Sequence, residues 1–239
     1  MATFVLIHGG GHGGWCYAKV AARLHDRSHR VFAPSLTGLG DRSHLLSPDI
    51  DLDTHVQDVV QLLHHEDLRD VVLVGHSYGG MVITGVADRA ADRIGKLVYL
   101  DAANPKDGES LVDVAGPMMN AARQLGEVRD GIELVLLPDA ESGRFYGVQD
   151  DADVAWMADR LTPHPWRCFD TPLRLADPAR VAAIPTFHVV CEETIPTRDP
   201  EMIESARDAG RLYSIDTGHD LMITEPDFVA NAFDEIASK

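Results

Sequence analysis

The chain alternates short apolar runs with longer stretches in which apolar residues recur every three or four positions. Short runs rich in valine, isoleucine and leucine are typical of buried strands, and the longer spacing is typical of helices with one apolar face. The runs predict strands at residues 3–7, 30–33, 71–74, 96–100, 185–190 and 212–215. The longer stretches predict helices at residues 17–24, 53–63, 81–87, 201–208 and 226–236. This alternation predicts an α/β fold with a mainly parallel central sheet flanked by helices.

The alternation stops between residues 104 and 183, where helical patches, prolines and aromatic residues are mixed. Ligand pockets of α/β folds lie beyond the carboxyl ends of the strands, so we interpret this stretch as a small helical cap insertion. The expected organisation is a core of residues 1–103 and 184–239 with a cap of residues 104–183. Trp156 and Trp166 are expected to line the substrate pocket; the alternative is a second core layer without substrate contact.

A tight turn of small residues follows the strand predicted at residues 71–74. Its pattern is Gly75-x-Ser77-x-Gly79, and a predicted helix comes directly after it. Glycines are needed where strand and helix backbones pass closely, and the turn would hold Ser77 in a strained conformation. Strand, turn and helix together indicate a nucleophile elbow rather than an ordinary turn.

A glycine-rich loop follows the first predicted strand. Gly9-x-Gly11-x-x-Gly14 formally matches a dinucleotide fingerprint, but the second strand ends without the acidic residue that would hold a ribose. Next to an elbow, such a loop can aim a backbone N–H at a substrate carbonyl oxygen. We therefore expect Gly10 and Tyr78 to form an oxyanion hole, with Gly11 in the substrate pocket and no nucleotide cofactor.

Several histidines invite assignment. His8 and His12 lie four apart, but that spacing brings side chains to one face only on a helix, so both are expected to make structural hydrogen bonds rather than bind a metal. His219 follows a late strand in a Gly-His turn before the last helix. A serine hydroxyl needs an imidazole to take its proton, so Ser77 is the candidate nucleophile and His219 the candidate base.

Composition narrows the class of partner. The chain has 21 basic and 38 acidic residues and a net charge of −17, which disfavours nucleic acid and anionic membranes. Three widely spaced cysteines fit neither a disulfide framework nor a zinc site, and the amino terminus lacks the features of a signal peptide. We expect a cytoplasmic protein that acts on a small-molecule substrate without a cofactor, with a homodimer left open.

Four stretches resemble the α/β-hydrolase superfamily: residues 4–16, 75–81, 162–165 and 217–220. The likeness extends over essentially the whole chain. It is greatest to small bacterial esterases and amidases that include pyrethroid- and carbendazim-hydrolysing enzymes, and more distant to plant methyl esterases and hydroxynitrile lyases. The resemblance implies an α/β-hydrolase fold and a cofactor-free serine hydrolase that forms an acyl-enzyme, with a small, mostly apolar ester or an activated amide or carbamate as substrate.

Two alternatives to a hydrolase remain. Hydroxynitrile lyases of the family carry a threonine after the first-loop histidine and a lysine after the catalytic histidine, whereas this chain has Gly9 and Asp220 there. A lysine would stabilise departing cyanide, and Asp220 is expected to repel it. A non-catalytic small-molecule-binding protein on the same fold is the other alternative.

The acid of the triad is where the chain departs from the family pattern. Relatives place an aspartate shortly before an Ile-Pro pair after the strand that the family counts as its seventh. In this chain that strand is predicted at residues 185–190, and Glu192 and Glu193 follow it in a shortened loop. Other branches place the acid after the strand that the family counts as its sixth, predicted here at residues 96–100, where Asp101 lies. The first choice is Glu193, whose extra methylene could span the shorter loop; Asp101 is the second and Glu192 the third.

Overall fold

Six parallel strands form the central sheet of the protein, and from one edge to the other they begin at Arg30, Thr3, Val71, Ile94, Thr186 and Leu212. The computed structural model describes all residues, 1–239. The strands of the protein are β1 (Thr3–Ile7), β2 (Arg30–Phe32), β3 (Val71–His76), β4 (Ile94–Leu100), β5 (Glu127–Arg129), β6 (Ile132–Val135), β7 (His164–Pro165), β8 (Thr186–Cys191) and β9 (Leu212–Ile215). The six strands predicted from the apolar runs are the six strands of this sheet, so the predicted α/β class is confirmed.

Helices cover both faces of the sheet. They are α1 (Ala18–Asp26), α2 (Leu52–His65), α3 (Gly79–Arg89), α4 (Leu111–Gln124), α5 (Ser142–Phe145), α6 (Asp151–Ala158), α7 (Arg167–Asp170), α8 (Pro178–Ala182), α9 (Pro200–Asp208), α10 (Leu221–Thr224) and α11 (Pro226–Ser238). The α2 helix begins with a capping box, in which Asp51 accepts from the Thr54 amide and Thr54 accepts from the Asp51 amide.

Side chains of the strands alternate between two hydrophobic cores. In β1, Phe4 and Leu6 face the core that contains α1 and α11, whereas Val5 and Ile7 face the core that contains α2 and α3. All four side chains are fully buried, which explains why β1 appears in the sequence as a continuous apolar run. The parallel strands therefore lie between two packed helical layers, with their carboxyl ends at the same edge of the sheet.

The segment between residues 104 and 183 holds α4 to α8 and a second, three-stranded antiparallel sheet of order β5-β6-β7. The sequence analysis did not predict this small sheet, because its strands are two to four residues long and one is fully exposed. The segment returns to the core at α8, where Asp88 of α3 accepts two backbone N–H bonds just before α8 begins.

No helix of the protein combines the length and the apolar character that a bilayer crossing requires. The three cysteines, Cys16, Cys168 and Cys191, are buried and free.

Gly80, at the start of α3, packs closely against the backbone that follows β4. A methyl group on Gly80 would overlap the carbonyl oxygen of Ala103, and neither backbone can yield without moving the strand ends. We expect Gly80→Ala to lower the free energy of unfolding by about 1–3 kcal/mol in urea denaturation. Gly116→Ala is the matched control, because an added methyl there meets no atom within 4 Å apart from its chain neighbours, and the loss of stability should stay below about 1 kcal/mol even with Pro117 next in the chain. Equal losses in both variants would contradict this packing argument.

Candidate active site

Ser77 lies at the turn between β3 and α3. Its φ is +53°, so the residue has the strained, left-handed conformation expected for this turn. An added methyl on Gly75 would overlap the backbone of Gly79, which explains why small residues flank the serine. The side chain of Ser77 is half-buried, and its hydroxyl makes no hydrogen bond within the protein. The hydroxyl is therefore free to meet a bound molecule.

The end of β4 is fastened to this turn by backbone hydrogen bonds. The Ser77 amide donates to the carbonyl of Leu100 at 3.3 Å, and the amide of Ala103 donates to the carbonyl of Ser77 at 3.0 Å. Asp101 lies between these two contacts, also with a positive φ of +43° and only 3% exposed. The strand pairing thus fixes a buried carboxylate beside the serine turn.

Asp101 and His219 are joined by a short hydrogen bond. Nδ1–H of His219 donates to Oδ2 of Asp101 at 2.5 Å, and the imidazole keeps 31% of its side-chain surface exposed. Burial favours the neutral imidazole, but the hydrogen bond and charge of Asp101 outweigh it and raise the pKa of His219. Burial likewise favours the neutral carboxyl, yet His219 and its neighbours hold the pKa of Asp101 well below its usual range. Nε2 of His219 is left without a protein partner.

Glu193, the first choice for the acid, makes no hydrogen bond with His219, whose Nδ1 is bonded to Asp101 instead. Residues Glu192–Thr197 form a 3-10 helix that turns both glutamates to the surface, and Glu192 faces Ser214 at 3.4 Å. The side chain that this loop sends inward is Thr194, whose hydroxyl donates to Asp101 at 2.5 Å. The loop therefore holds the carboxylate of the neighbouring strand instead of supplying one.

The glycine-rich loop lies directly against the serine turn. A methyl group on Gly9 would lie 2.8 Å from Cβ of Ser77, so only glycine permits this approach. The backbone N–H groups of Gly10 and Tyr78 have no hydrogen-bond partner in the protein. Gly11, in contrast, is tied at both ends, since its N–H donates to His164 and its carbonyl accepts from Thr162.

Both loop histidines make the structural hydrogen bonds that the sequence analysis expected. His8 accepts from the Leu36 amide at 3.0 Å and donates to the Gly9 carbonyl at 2.9 Å. Burial lowers the pKa of His8 to about 3, so it stays neutral. Its two bonds join the loop to the segment that follows β2.

His12 contacts the buried carboxylate of Asp220. Nδ1 contacts the Gly10 carbonyl at 2.7 Å and Nε2 contacts Oδ2 of Asp220 at 2.8 Å. Both partners are hydrogen-bond acceptors, and each ring nitrogen of His12 lies within donating distance of one of them. Burial opposes the Asp220 charge, but His12 lowers the pKa of Asp220 below its ordinary value. Because His12 compensates this charge and both side chains are fully buried, the expected repulsion of cyanide by Asp220 is not supported.

A buried polar cluster lies beneath Tyr78. Its hydroxyl donates to Nδ1 of His55 at 2.9 Å, and Nε2 of His55 donates to the carbonyl of Thr37 at 2.9 Å. His55, His164 and Cys168 bring potential metal ligands within 4.8 Å of one another. Since both nitrogens of His55 are already bonded to protein groups, the cluster is suited to hold Tyr78 in place rather than to bind a metal.

The two tryptophans predicted to line the pocket, Trp156 and Trp166, both pack against other side chains of the protein. Trp166 is 3% exposed within the core, and Trp156 packs edge-on against Trp15 with ring centroids 5.0 Å apart. The residues that border Gly10 are Leu136 and Phe169, which an added methyl on Gly10 would contact at 2.8 and 3.1 Å. Leu136 also has a positive φ of +53°. No signal in the sequence separates these two residues from other apolar positions of the segment.

Comparison with known proteins identifies the family of this chain. The model of the α/β hydrolase family matches residues 4–232. A carbendazim-hydrolysing esterase from Nocardioides sp. (strain SG-4G) is 37% identical over 238 residues, which cover 96% of this chain and 97% of that protein. A pyrethroid hydrolase from Sphingobium wenxiniae is 37% identical over 104 residues, or 43% of this chain and 36% of that protein.

Solved structures show the same fold. An extracellular α/β-hydrolase from a Paenibacillus species superposes with a TM-score of 0.80 at 24% identity, covering 98% of both chains. A methylesterase from Arabidopsis superposes with a TM-score of 0.77 at 24% identity, covering 100% of this chain and 99% of that one. The match of the family model over nearly the whole chain, together with the full-length relative, shows that this chain belongs to the α/β-hydrolase family.

Proposed function

We propose that this protein is a serine carboxylesterase in which Ser77, His219 and Asp101 form the catalytic triad. The observation that carries the proposal is the hydrogen bond from His219 to the buried Asp101 beside a strained serine turn. The full-length likeness to an esterase supports the reaction class. Residues 104–183 act in this proposal as a cap over the site.

Acylation begins with Ser77. Its Oγ attacks the carbonyl carbon of the ester while its proton passes to Nε2 of His219, the nitrogen that Asp101 leaves free. The carboxylate of Asp101 fixes the tautomer and stabilises the imidazolium that forms. The oxyanion of the tetrahedral intermediate accepts from the unpaired N–H groups of Gly10 and Tyr78. His219 then protonates the departing alcohol, which leaves an acyl group on Ser77.

Deacylation runs through the same groups in reverse. A water molecule enters where the alcohol has left and gives its proton to Nε2 of His219, and its oxygen attacks the acyl carbon. The second tetrahedral intermediate uses the same two N–H donors. Its collapse releases the carboxylic acid and returns the proton to Ser77. No step requires a group beyond the side chains and backbone donors described above.

A small, mostly apolar ester suits the walls of this site. Leu136 and Phe169 border Gly10, and Tyr146 approaches the same loop with its hydroxyl 3.4 Å from the Gly10 carbonyl. Apolar walls with few polar groups favour an apolar acyl or alcohol portion. Activated carbamates are included, since a relative hydrolyses carbendazim. The three free cysteines are consistent with a cytoplasmic location.

The first prediction concerns the nucleophile. Purified protein should hydrolyse short-chain p-nitrophenyl esters, and Ser77→Ala should lower kcat by about 10⁴-fold or more, because no other group can form the acyl-enzyme. A stopped assay of acyl chains from two to eight carbons, with carbendazim as a carbamate probe, measures this. Full activity in Ser77→Ala would remove the proposal, and an inactive wild-type protein would favour a binding protein on this fold.

A second prediction separates the candidate acids. Asp101→Asn keeps the shape but presents a donor to Nδ1–H of His219, so the ring adopts the wrong tautomer and kcat should fall by about 10⁴-fold. Glu193→Gln and Glu192→Gln are the matched controls and should retain wild-type kcat, because both side chains face solvent. A collapse of activity in Glu193→Gln alone would return the acid to that loop.

The third prediction is the pH profile. Only the neutral imidazole of His219 accepts a proton, so kcat/KM should fall as the pH drops through the pKa of His219. Asp101 raises that pKa, so the midpoint of this acid limb should lie above the ordinary histidine value of about 6.5. Burial lowers the pKa of His76 to about 3, so this neighbour does not produce the limb. A midpoint below the ordinary value would contradict the assigned partner.

A further inference from the structure

The carboxylate of Asp101 receives more than the bond from His219. Oδ1 accepts from the hydroxyl of Thr194 and from Nη2 of Arg198, both at 2.5 Å, and from the Cys191 amide at 3.3 Å. Oδ2 accepts from His219 and, at 3.2 Å, from the Cys191 thiol. Oδ1 therefore accepts only from structural donors, whereas Oδ2 accepts from the imidazole of His219 and from the Cys191 thiol.

Arg198 makes a second contact that fixes its own position. Nη1 donates to the carbonyl of Ala102 at 2.9 Å, so the guanidinium spans the side chain of Asp101 and the backbone of the next residue. Its side chain is only 11% exposed. Nε and Nη2 also donate to the hydroxyl of Thr194, at 3.3 and 3.1 Å. A planar guanidinium held by Asp101, Ala102 and Thr194 restricts the carboxylate to one orientation, which a single lysine donor could not do.

We propose that Arg198 is a positioning residue for Asp101, which aims Oδ2 at His219 and tempers the attraction between that carboxylate and the imidazolium. This inference rests on the proposed esterase function, because it assigns a role within the same triad. A cation bonded to the acid has two opposed effects. It orders the carboxylate for the histidine, and it removes part of the negative charge that stabilises the protonated ring.

The charges around His219 determine the sign of the expected effect. Asp101, from the end of β4, raises the pKa of His219, and Asp220, the next residue in the chain, raises it as well. Arg198 opposes both. His76, from the end of β3, is neutral because burial lowers its pKa to about 3. The Cys191 thiol is neutral too, since burial raises its pKa to about 11.

Removing the cation should therefore raise the pKa of His219 further. Arg198→Met keeps an apolar stem but loses the charge and all the hydrogen bonds of the guanidinium to Asp101, Ala102 and Thr194. We expect its acid limb of kcat/KM to move upward by about one pH unit. The plateau at high pH should fall by about 10-fold, because the carboxylate is no longer fixed. Arg198→Gln, a second neutral variant with an amide donor, should show the same shift with a smaller loss at the plateau.

Two charged variants complete the design. Arg198→Lys keeps the positive charge but loses the contacts of the planar guanidinium, so its limb should stay near the wild-type position while the plateau falls. Arg207→Met is the control for net charge, because Arg207 is exposed on α9 and makes no side-chain hydrogen bond. Its limb and plateau should match the wild-type protein.

A measurement without turnover separates this inference from the esterase proposal. Histidine ¹⁵N NMR titration, with the His219 signal assigned by its loss in His219→Gln, gives the pKa of His219 directly. An upward shift in Arg198→Met or Arg198→Gln supports the proposal even if no ester is hydrolysed. An unchanged titration in both folded neutral variants, with activity reduced equally at every pH, would overturn it and leave Arg198 a purely structural residue.

Discussion

The hydrogen bond between Asp101 and His219 is the interaction on which the arrangement of the site depends. It joins the carboxyl end of β4 to the turn after β9, two points 118 residues apart in the chain. The backbone of Asp101 is fixed, because the residue has a left-handed conformation and lies between two backbone hydrogen bonds to Ser77. Adjacent parallel strands lie about 4.8 Å apart, so the acid of β4 is positioned beside the serine of β3 by the sheet itself. The pairing of β3 with β4 thus determines the distance between the backbones of Ser77 and Asp101.

A second buried interaction holds the oxyanion loop to the same turn. His12 contacts the Gly10 carbonyl and Asp220, the residue after His219, with no exposed surface on either side chain. Breaking a buried pair of this kind by removing one member costs about 3–5 kcal/mol, because the remaining charge is left uncompensated. Replacing both members with apolar residues could preserve stability, but the loop would lose the bond that orients the Gly10 carbonyl. The contact between His12 and Asp220 is therefore better explained by its positioning of the Gly10 loop than by a net gain in the stability of the fold.

Apolar periodicity predicted the central sheet because β1, β3, β4 and β8 are largely buried on both faces and the long helices each have one buried face. It did not predict β5 to β7, which are too short to show a period, nor the neighbours of Gly10, since Leu136 and Phe169 are ordinary apolar residues in the sequence. Ser77 and Gly10 could be placed because the turn that each occupies requires glycines at set positions. The partner of His219 could not be predicted, because carboxylates follow two neighbouring strands in the sequence. Nothing in the sequence showed whether the side chains of the loop that begins at Glu192 point toward His219 or toward solvent.

The loop after β8 shows what the neighbouring strand end contributes when the carboxylate comes from the end of β4. The carboxyl ends of β4 and β8 are neighbours in the sheet, so a carboxylate from either is within reach of the same imidazole. The loop after β8 is a 3-10 helix whose glutamates face outward and whose Thr194 faces inward. A hydroxyl cannot replace a carboxylate as a charge, but it can donate to one. The loop after β8 then needs only donors, and Thr194 and Arg198 supply them to Asp101. The site keeps a fixed carboxylate at His219, at the expense of sharing its charge with a cation.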